Sequence, residues 1–402
     1  MKQKCIVYKI QFCYYFNYHT SNYLKQISWK YVGLAPICRY SDRRIKFDFP
    51  LIRFLYLCTK LFIMKEKLFG KTLKELQDVA SNIGMPKFTA KQMADWLYKK
   101  EISSVDEMTN LSKNARELLN EKYEFGATQP SKVQESADGT KKYLFPTFQH
   151  KFIETAMIPE RDRLTVCVSS QVGCKMGCLF CMTGKQGFQG QLSAGEIVNQ
   201  IKSIEEASEV SNIVYMGMGE PFDNLDEVLK SIEILTSEWG FAMSPRRITV
   251  STIGIIPAML RFLEESEAHL AVSLHTPFND ERRNLMPVEV AYPIEEVVAE
   301  IKNWDFGRQR RVSFEYILFE GLNDSPRHVK ELARLLSELK CRINLIRFHP
   351  VPGTPLKSPG EETIQKFKEQ LNKKGIFTTI RASRGEDIYA ACGLLSTKEI
   401  FW

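Results

Sequence analysis

Three cysteines stand in one octet, Cys174-Lys175-Met176-Gly177-Cys178-Leu179-Phe180-Cys181, at the spacing C-x3-C-x2-C. A loop that short turns three thiolates towards one point, and Gly173, Gly177 and Gly184 let its backbone fold tightly. Iron–sulfur cubanes ordinarily take four cysteine ligands. Three close thiolates without a fourth leave one iron open, and an open iron can hold a small molecule and pass it an electron. A structural zinc knot is the plainer alternative. Such knots close four ligands with a second C-x2-C or C…H pair, and no second pair is present. A disulfide framework belongs to secreted chains, and this long chain carries no secretory features.

The elements around the loop alternate between strand and helix. Residues 164–169 read as an apolar strand running into the cysteines. Further strands read at 213–216, 247–251, 268–274, 312–318, 342–348 and 378–381. Helices read at 193–207 (a Ser193/Glu196 capping box), 225–239, 257–263, 294–304, 326–339 and 361–374. Regular β/α alternation requires a parallel sheet with helices outside it. About six such units make a partial (β/α)6 TIM barrel, whose reactive groups belong after the strand C-termini. The turn Gly217-Met218-Gly219-Glu220-Pro221 follows the second strand. Ser251 ends the third, Ser273-Leu274-His275 the fourth, and His349 the sixth. A serine at a strand end taken singly is as readily a cap. In front of this barrel (161–382) lies a small helical accessory domain (64–125). Thr72 and Glu75 form a capping box there, Gly84 and Pro86 stop the first helix, Thr89 opens a second, and 111–119 reads as a third. A β linker (126–160) follows, with a hairpin turn at Asp138-Gly139. Glu154 sits in its last strand, where a lone alternating Glu ordinarily faces solvent. Residues 383–402 form a C-terminal segment.

Several words around these positions occur in one order: Val172-Gly173-Cys174, Phe180-Cys181-Met182-Thr183-Gly184, Met216-Gly217-Met218-Gly219-Glu220-Pro221, Ser251-Thr252-Ile253-Gly254, Ser273-Leu274-His275 and Ala391-Cys392-Gly393. Together, across residues 64–396, they resemble the RlmN/Cfr family of radical S-adenosylmethionine (radical SAM) RNA methyltransferases. The resemblance implies a [4Fe-4S] cluster on Cys174, Cys178 and Cys181. It implies SAM bound by Gly219, Glu220, Ser251, Ser273, Leu274, His275 and His349. Many relatives carry Asn at the last position, and a neutral His donates or accepts as Asn does. It also implies Cys392 as methyl carrier, Cys167 as its disulfide partner and Glu154 as proton acceptor. The RNA-contacting role of the accessory domain comes from the same resemblance.

The implied reaction methylates carbon 2 of an adenine in 23S rRNA and in certain tRNAs, using two SAM molecules per turnover and an external electron donor. Carbon 2 is electron-poor and does not attack a SAM methyl group. Cys392, a thiolate and hence a strong nucleophile, takes the methyl group from one SAM. A second SAM is cleaved to a 5′-deoxyadenosyl radical, which removes a hydrogen from methyl-Cys392. The carbon radical then adds to the base, Glu154 takes the carbon-2 proton, and Cys167 attacks the Cys392 sulfur to release the RNA. Methylation of carbon 8 of the same rRNA adenine is the alternative within the family. An iron–sulfur electron carrier needs a fully ligated cluster, and a radical SAM enzyme for another substrate gives no reason for Cys167 and Cys392. Cys341 reads as a small apolar core residue.

Charge sits unevenly along the chain. Residues 1–63 hold 11 Lys/Arg against two acids, 15 aromatics and no Glu, whereas the remainder carries 44 Lys/Arg against 46 Asp/Glu. An RNA-binding surface in the body is therefore local. Lys87, Lys91, Lys99 and Lys100 are candidates for phosphate contacts, as are Lys185, Arg282, Arg283 and Arg384 near the mouth loops; each is equally explained as a solvated charge. The apolar run 51–63 is too short to span a bilayer and is broken by Arg53 and Lys60. The expectation is upstream sequence over 1–63, a biological start at Met64, no membrane partner, a monomer, and a cytoplasmic location that keeps thiols reduced.

Overall fold

The computed structural model describes residues 65–307 and 311–397; the leader and Met64 lie outside the described residues. Strand β1 (Glu66–Lys67) pairs in parallel with β2 (Tyr123–Glu124) and brackets helices α1 (Leu73–Asn82), α2 (Thr89–Ala94) and α3 (Lys113–Lys122). The expected capping box opens α1: Thr72 N–H donates to Glu75 Oε2 at 2.7 Å, and Glu75 N–H donates to Thr72 Oγ1 at 3.3 Å.

This small domain is seated hard on the barrel. A Cβ on Gly70 would lie 2.3 Å from Gly195 Cα, so glycine is required at that approach. Tyr98 packs its ring against Trp239 and Phe241 and donates its hydroxyl to the Lys71 carbonyl at 2.5 Å.

Strands β3 (Lys132–Glu135), β4 (Lys141–Pro146), β5 (Phe152–Glu160) and β6 (Arg163–Cys167) run antiparallel. A two-stranded ribbon, β7 (Gln171–Val172) with β8 (Gly190–Gln191), encloses the cysteine loop and helix α4 (Met182–Gln186). Then come α5 (Ala194–Lys202), β9 (Asn212–Tyr215), α6 (Leu225–Thr236), β10 (Ile248–Thr252), α7 (Ile256–Glu265) and β11 (His269–Ser273). Helices α8 (Asn279–Leu285) and α9 (Ile294–Lys302), β12 (Val312–Leu318), α10 (Pro326–Leu335), β13 (Cys341–Arg347), α11 (Glu361–Lys373) and β14 (Phe377–Ile380) complete the order.

Ten strands form one sheet in the order β14-β13-β12-β11-β10-β9-β6-β5-β4-β3. Pairs from β6 through β14 are parallel, as the alternation requires of a partial barrel. Residues 126–160 do more than link domains. Their three strands extend the barrel sheet itself, because β5 bonds edge-on to β6.

Below the mouth, fully buried Arg282 ties the ends of β10 and β11 together. It pairs with buried Glu289 and donates from Nη2 to the carbonyls of Ile253 and Ser273, each at 2.9 Å, and from Nε to that of Leu274 at 3.2 Å. Its place rules out the RNA contact expected of it; an arginine this well bonded inside is a buttress. Removing one partner of a buried ion pair leaves the other charge uncompensated. Arg282→Met is therefore expected to lower stability by about 3–5 kcal/mol, read from the shift in denaturant midpoint.

Candidate active site

The cysteine loop springs from β7 and returns through α4. Gly173 has φ +71°, and a Cβ there would lie 1.8 Å from the Gly187 carbonyl oxygen, so only glycine lets Gln189 N–H reach Val172 O at 2.8 Å. Buried Gln171 anchors the loop to the glycine-rich turn by accepting the Glu220 N–H at 2.8 Å. A Cβ on Gly219, at φ +101°, would meet the Gln171 side chain at 2.6 Å.

One cavity of about 690 Å³ runs into the barrel, and Cys174, Cys178 and Cys181 line it. Burial pushes the Cys174 thiol up to about 12 and the Cys178 thiol well above its ordinary value, and the neighbouring thiols add to both. Neutral thiols held this close need a strong cation before they ionise together, which is what a metal ligand set provides. Among the described residues no three His, Cys, Asp or Glu side chains converge on a single ion. A cubane does not ask for that, since its ligand thiolates bind different irons. The loop fits such a cluster.

Gly219, Glu220, Ser251, Ser273, His275 and His349 line the same cavity. Burial raises the Glu220 carboxyl to about 7 against hydrogen bonds from Thr252 Oγ1 (2.6 Å) and Ile253 N–H (3.1 Å). An ammonium group beside it would restore the charge. His275 holds the left-handed φ of +59°. Its Nδ1 accepts the Ile317 N–H at 3.0 Å, and burial lowers its pKa to about 3, so the ring is neutral with Nε2 as donor. His349 is 9% exposed and is likewise pulled down by burial. Leu274 is not on the cavity wall. Its side chain is fully buried in the main core, because alternation along the strand turns Ser273 inward and the next residue towards the helices.

Cys167 and Cys392 both line the cavity. Ala390 packs with Cys167 and Ala156, while Ala391 and Leu394 pack with Phe180, Cys178 and Cys181. Cys392 is thereby lodged between β6 and the cysteine loop. Three sets of hydrogen bonds hold its segment. Gly385 N–H donates to Asp138 Oδ2 at 2.9 Å, and Asp387 accepts from Ser136 Oγ (2.5 Å) and Ala137 N–H (3.1 Å). Met182 N–H donates to Gly393 O at 2.8 Å, and Thr183 Oγ1 to Leu395 O at 2.7 Å. Ser396 N–H donates to Glu154 Oε2 at 2.7 Å.

Glu154, which its place in an alternating strand leads one to expect at the surface, lies inside instead. It is fully buried, paired with Lys142 Nζ at 3.2 Å, and absent from the cavity lining. Strand β5 is internal to the sheet, with both faces covered. Two cavity residues carry no motif and escape sequence reading, Arg381 and Glu315. Cys392, Glu315 and Cys167 lie close enough to Arg381 to hold its guanidinium charged despite burial.

Asp138 is a sensitive point for segment docking. Although burial opposes it, hydrogen bonds from Thr140, Gly385 and Ser136 hold its carboxyl down at about 2. Asp138→Ala is expected to raise amide hydrogen exchange across 385–397 several-fold while leaving the barrel strands protected, read by exchange mass spectrometry. Unchanged exchange would show that the turn does not hold the segment.

The Radical SAM superfamily profile matches residues 168–336, and that of the ribosomal RNA large subunit methyltransferase N-terminal domain matches residues 66–125. A probable dual-specificity RNA methyltransferase RlmN from Phocaeicola vulgatus is 57% identical over 333 residues, covering 83% of this chain and 95% of that protein. The dual-specificity RNA methyltransferase RlmN of Syntrophus aciditrophicus is 43% identical, covering 82% and 96%. The crystal structure of a radical SAM methyltransferase from Sphaerobacter thermophilus superposes with a TM-score of 0.78 at 41% identity, covering 83% of this chain and all of that one. With one cavity gathering the three loop cysteines, Cys167 and Cys392, and with such similarity over more than four-fifths of its length, the chain belongs to the RlmN family of radical SAM RNA methyltransferases.

Proposed function

We propose that this chain methylates carbon 2 of an adenine in 23S rRNA and in certain tRNAs, in the cytoplasm and as a monomer, consuming two SAM molecules per turnover and drawing electrons from an external donor. The observation that carries the reading is the shared cavity: Cys167 and Cys392 line it together with the three loop cysteines. Cys174, Cys178 and Cys181 would hold the cluster; Glu220, Ser251, Ser273, His275 and His349 would hold SAM. Bound there, the pair supplies the one-electron chemistry that makes a methyl C–H bond reactive.

The rest falls to the protein's own side chains. Cys392, open to the cavity but packed on either side by its neighbours, accepts the methyl group at sulfur. The thiolate of Cys167 later attacks that sulfur, forms the S–S bond and breaks the S–C bond, whose electron pair stays on the RNA-linked carbon; that carbon takes up a proton and becomes the methyl group. Burial pushes the Cys167 thiol up to about 12 even with Arg381 opposing the rise, so its proton must be removed before the attack, and Arg381 is the cation that favours the thiolate once it forms. For Glu154 to take the carbon-2 proton, the Lys142 pair and the Ser396 hydrogen bond must first release it.

The target base must leave its stack to reach the cavity. Phe88 is 67% exposed between the exposed Lys87 and Lys91. An aromatic ring flanked by cations suits stacking and phosphate contacts with RNA, which supports the RNA-contacting role of the accessory domain.

The test is anaerobic reconstitution with iron, sulfide, SAM and reductant on unmethylated 23S rRNA fragment and tRNA, followed by nucleoside mass spectrometry. The expected product is 2-methyladenosine, abolished in Cys392→Ala. Cys167→Ala is expected to leave RNA covalently bound to protein, seen as a slow band on denaturing gels. 8-Methyladenosine would overturn the carbon-2 reading, and SAM cleavage without any modified base would overturn the substrate.

A further inference from the structure

The cavity floor holds a polar layer that the reaction above does not use. Strand register sets Ser273 of β11 level with Glu315 of β12, Glu315 with Asn344 of β13, and Asn344 with Thr379 of β14. Alternation turns all four inward, and all four line the cavity. Thr379 Oγ1 donates to Asn344 Oδ1 at 2.8 Å, and Asn344 Nδ2 donates to Glu315 Oε1 at 2.7 Å. Ser313 Oγ adds a bond to the same oxygen at 3.1 Å. The chain of bonds ends there. Glu315 is 3% exposed, and its Oε2 is buried without a hydrogen-bond partner. A buried carboxylate oxygen left unpartnered costs about 1–3 kcal/mol or more, so a site that keeps one has a use for it.

We infer that Glu315 is the proton acceptor for the Cys392 thiol in the methyl-loading step. The inference rests on the methyl-carrier reading of Cys392. The thiol proton passes to Glu315 Oε2, directly or through one water. The freed sulfur pair forms the S–CH3 bond, and the sulfonium S–CH3 bond of SAM breaks with its pair staying on the departing sulfur, which becomes a neutral thioether. The proton then leaves from Glu315 to solvent. The charged and titratable groups around this transfer are Arg381 beyond β14, Arg342 on β13, Cys167 on β6, Cys181 on the cysteine loop and Glu160 at the end of β5. Arg381 lies beside both partners and favours the ionised form of each, while the bonds from Asn344 and Ser313 fix the carboxylate plane. Glu315 and Cys392 line the same cavity, and a charged Glu315 disfavours a second negative charge on Cys392, so the thiolate forms most readily once the carboxylate has taken up the proton.

The test follows Cys392 methylation by intact-protein mass spectrometry with methyl-labelled SAM, on reconstituted holoenzyme of matched cluster absorbance, between pH 6 and 10, in wild type, Glu315→Gln and Glu315→Asp. Glu315→Gln is expected to slow methylation by about 10²-fold at neutral pH, with a deficit that shrinks as rising pH ionises the thiol unaided. Glu315→Asp, which keeps a carboxylate, is expected to recover part of the rate. Equal rates in wild type and Glu315→Gln would overturn the proposal. So would a loss of equal size at every pH accompanied by weaker SAM binding, which would make Glu315 a cofactor contact. A wild-type chain that takes no methyl group on Cys392 would overturn the methyl-carrier reading itself, and the proposal with it.

Discussion

An open sheet cannot enclose a reacting sulfur, and the hydrogen bonds that draw residues 385–397 across it are what the site depends on. The sheet ends at β14 on one side and β3 on the other. The last described residues leave β14 and reach the turn between β3 and β4, the strand β5 and the helix after the cysteine loop. Three of the acceptors are carboxylates, Asp138, Asp387 and Glu154. Bonds to charged acceptors contribute about 1.5–3 kcal/mol each, against about 1 for neutral ones. Such a set holds the segment carrying Cys392 to the cavity that Cys167 also lines, and it is breakable in small steps. The methyl-carrier role proposed for Cys392, with linkage to a bulky RNA and later release, needs that combination.

The same enclosure makes charge expensive inside the cavity. Burial raises the carboxyls of Glu220 and Glu315 and the thiols of Cys167, Cys174, Cys178 and Cys392 alike. Each of these acids is thereby pushed towards its neutral form, which serves neither as nucleophile nor as ligand or base. Cations decide which of them ionise. A bound cluster would do so at the loop cysteines and a bound ammonium group at Glu220. Arg381 does so between Cys167, Cys392 and Glu315. The cavity is thus divided between charge that bound cofactors would bring and charge that the protein itself supplies, with Cys167 and Cys392 lining it beside both.

Much of this was legible in the residue order. The β/α alternation, the capping boxes at Thr72 and Ser193 and the Asp138-Gly139 turn read directly, because each depends on neighbours within a few residues. The loop cysteines and Glu220 read from spacing. What did not read depends on which side of an element faces inward. Glu154 alternates like a surface residue, yet its strand is covered on both faces. Arg282 looks like a mouth charge, yet α8 turns it under the strand ends. Leu274 shares its tripeptide with two cavity residues and points the other way. Glu315 sits in an ordinary strand, Val312–Leu318, with all seven residues buried. Its meaning comes only from the register with Asn344 and Thr379, partners 29 and 64 residues away, a relation that no local pattern records.

The accessory domain adds a constraint on how RNA is met. Three contacts lock it to the barrel: the Gly70–Gly195 approach, the Tyr98 ring against Trp239 and Phe241, and the Glu75–Lys230 ion pair at 2.7 Å. The first of these leaves no room for sliding, since any side chain at residue 70 would collide with the first turn of α5. The exposed Lys87-Phe88-Lys91 face therefore keeps a fixed distance and direction from the cavity mouth. So rigid a frame cannot reshape itself around an RNA. The adjustment falls to the RNA: under the function proposed above it must present its adenine at the set distance and release it from its stack, so the frame selects a local geometry that opens at that cost more than a sequence.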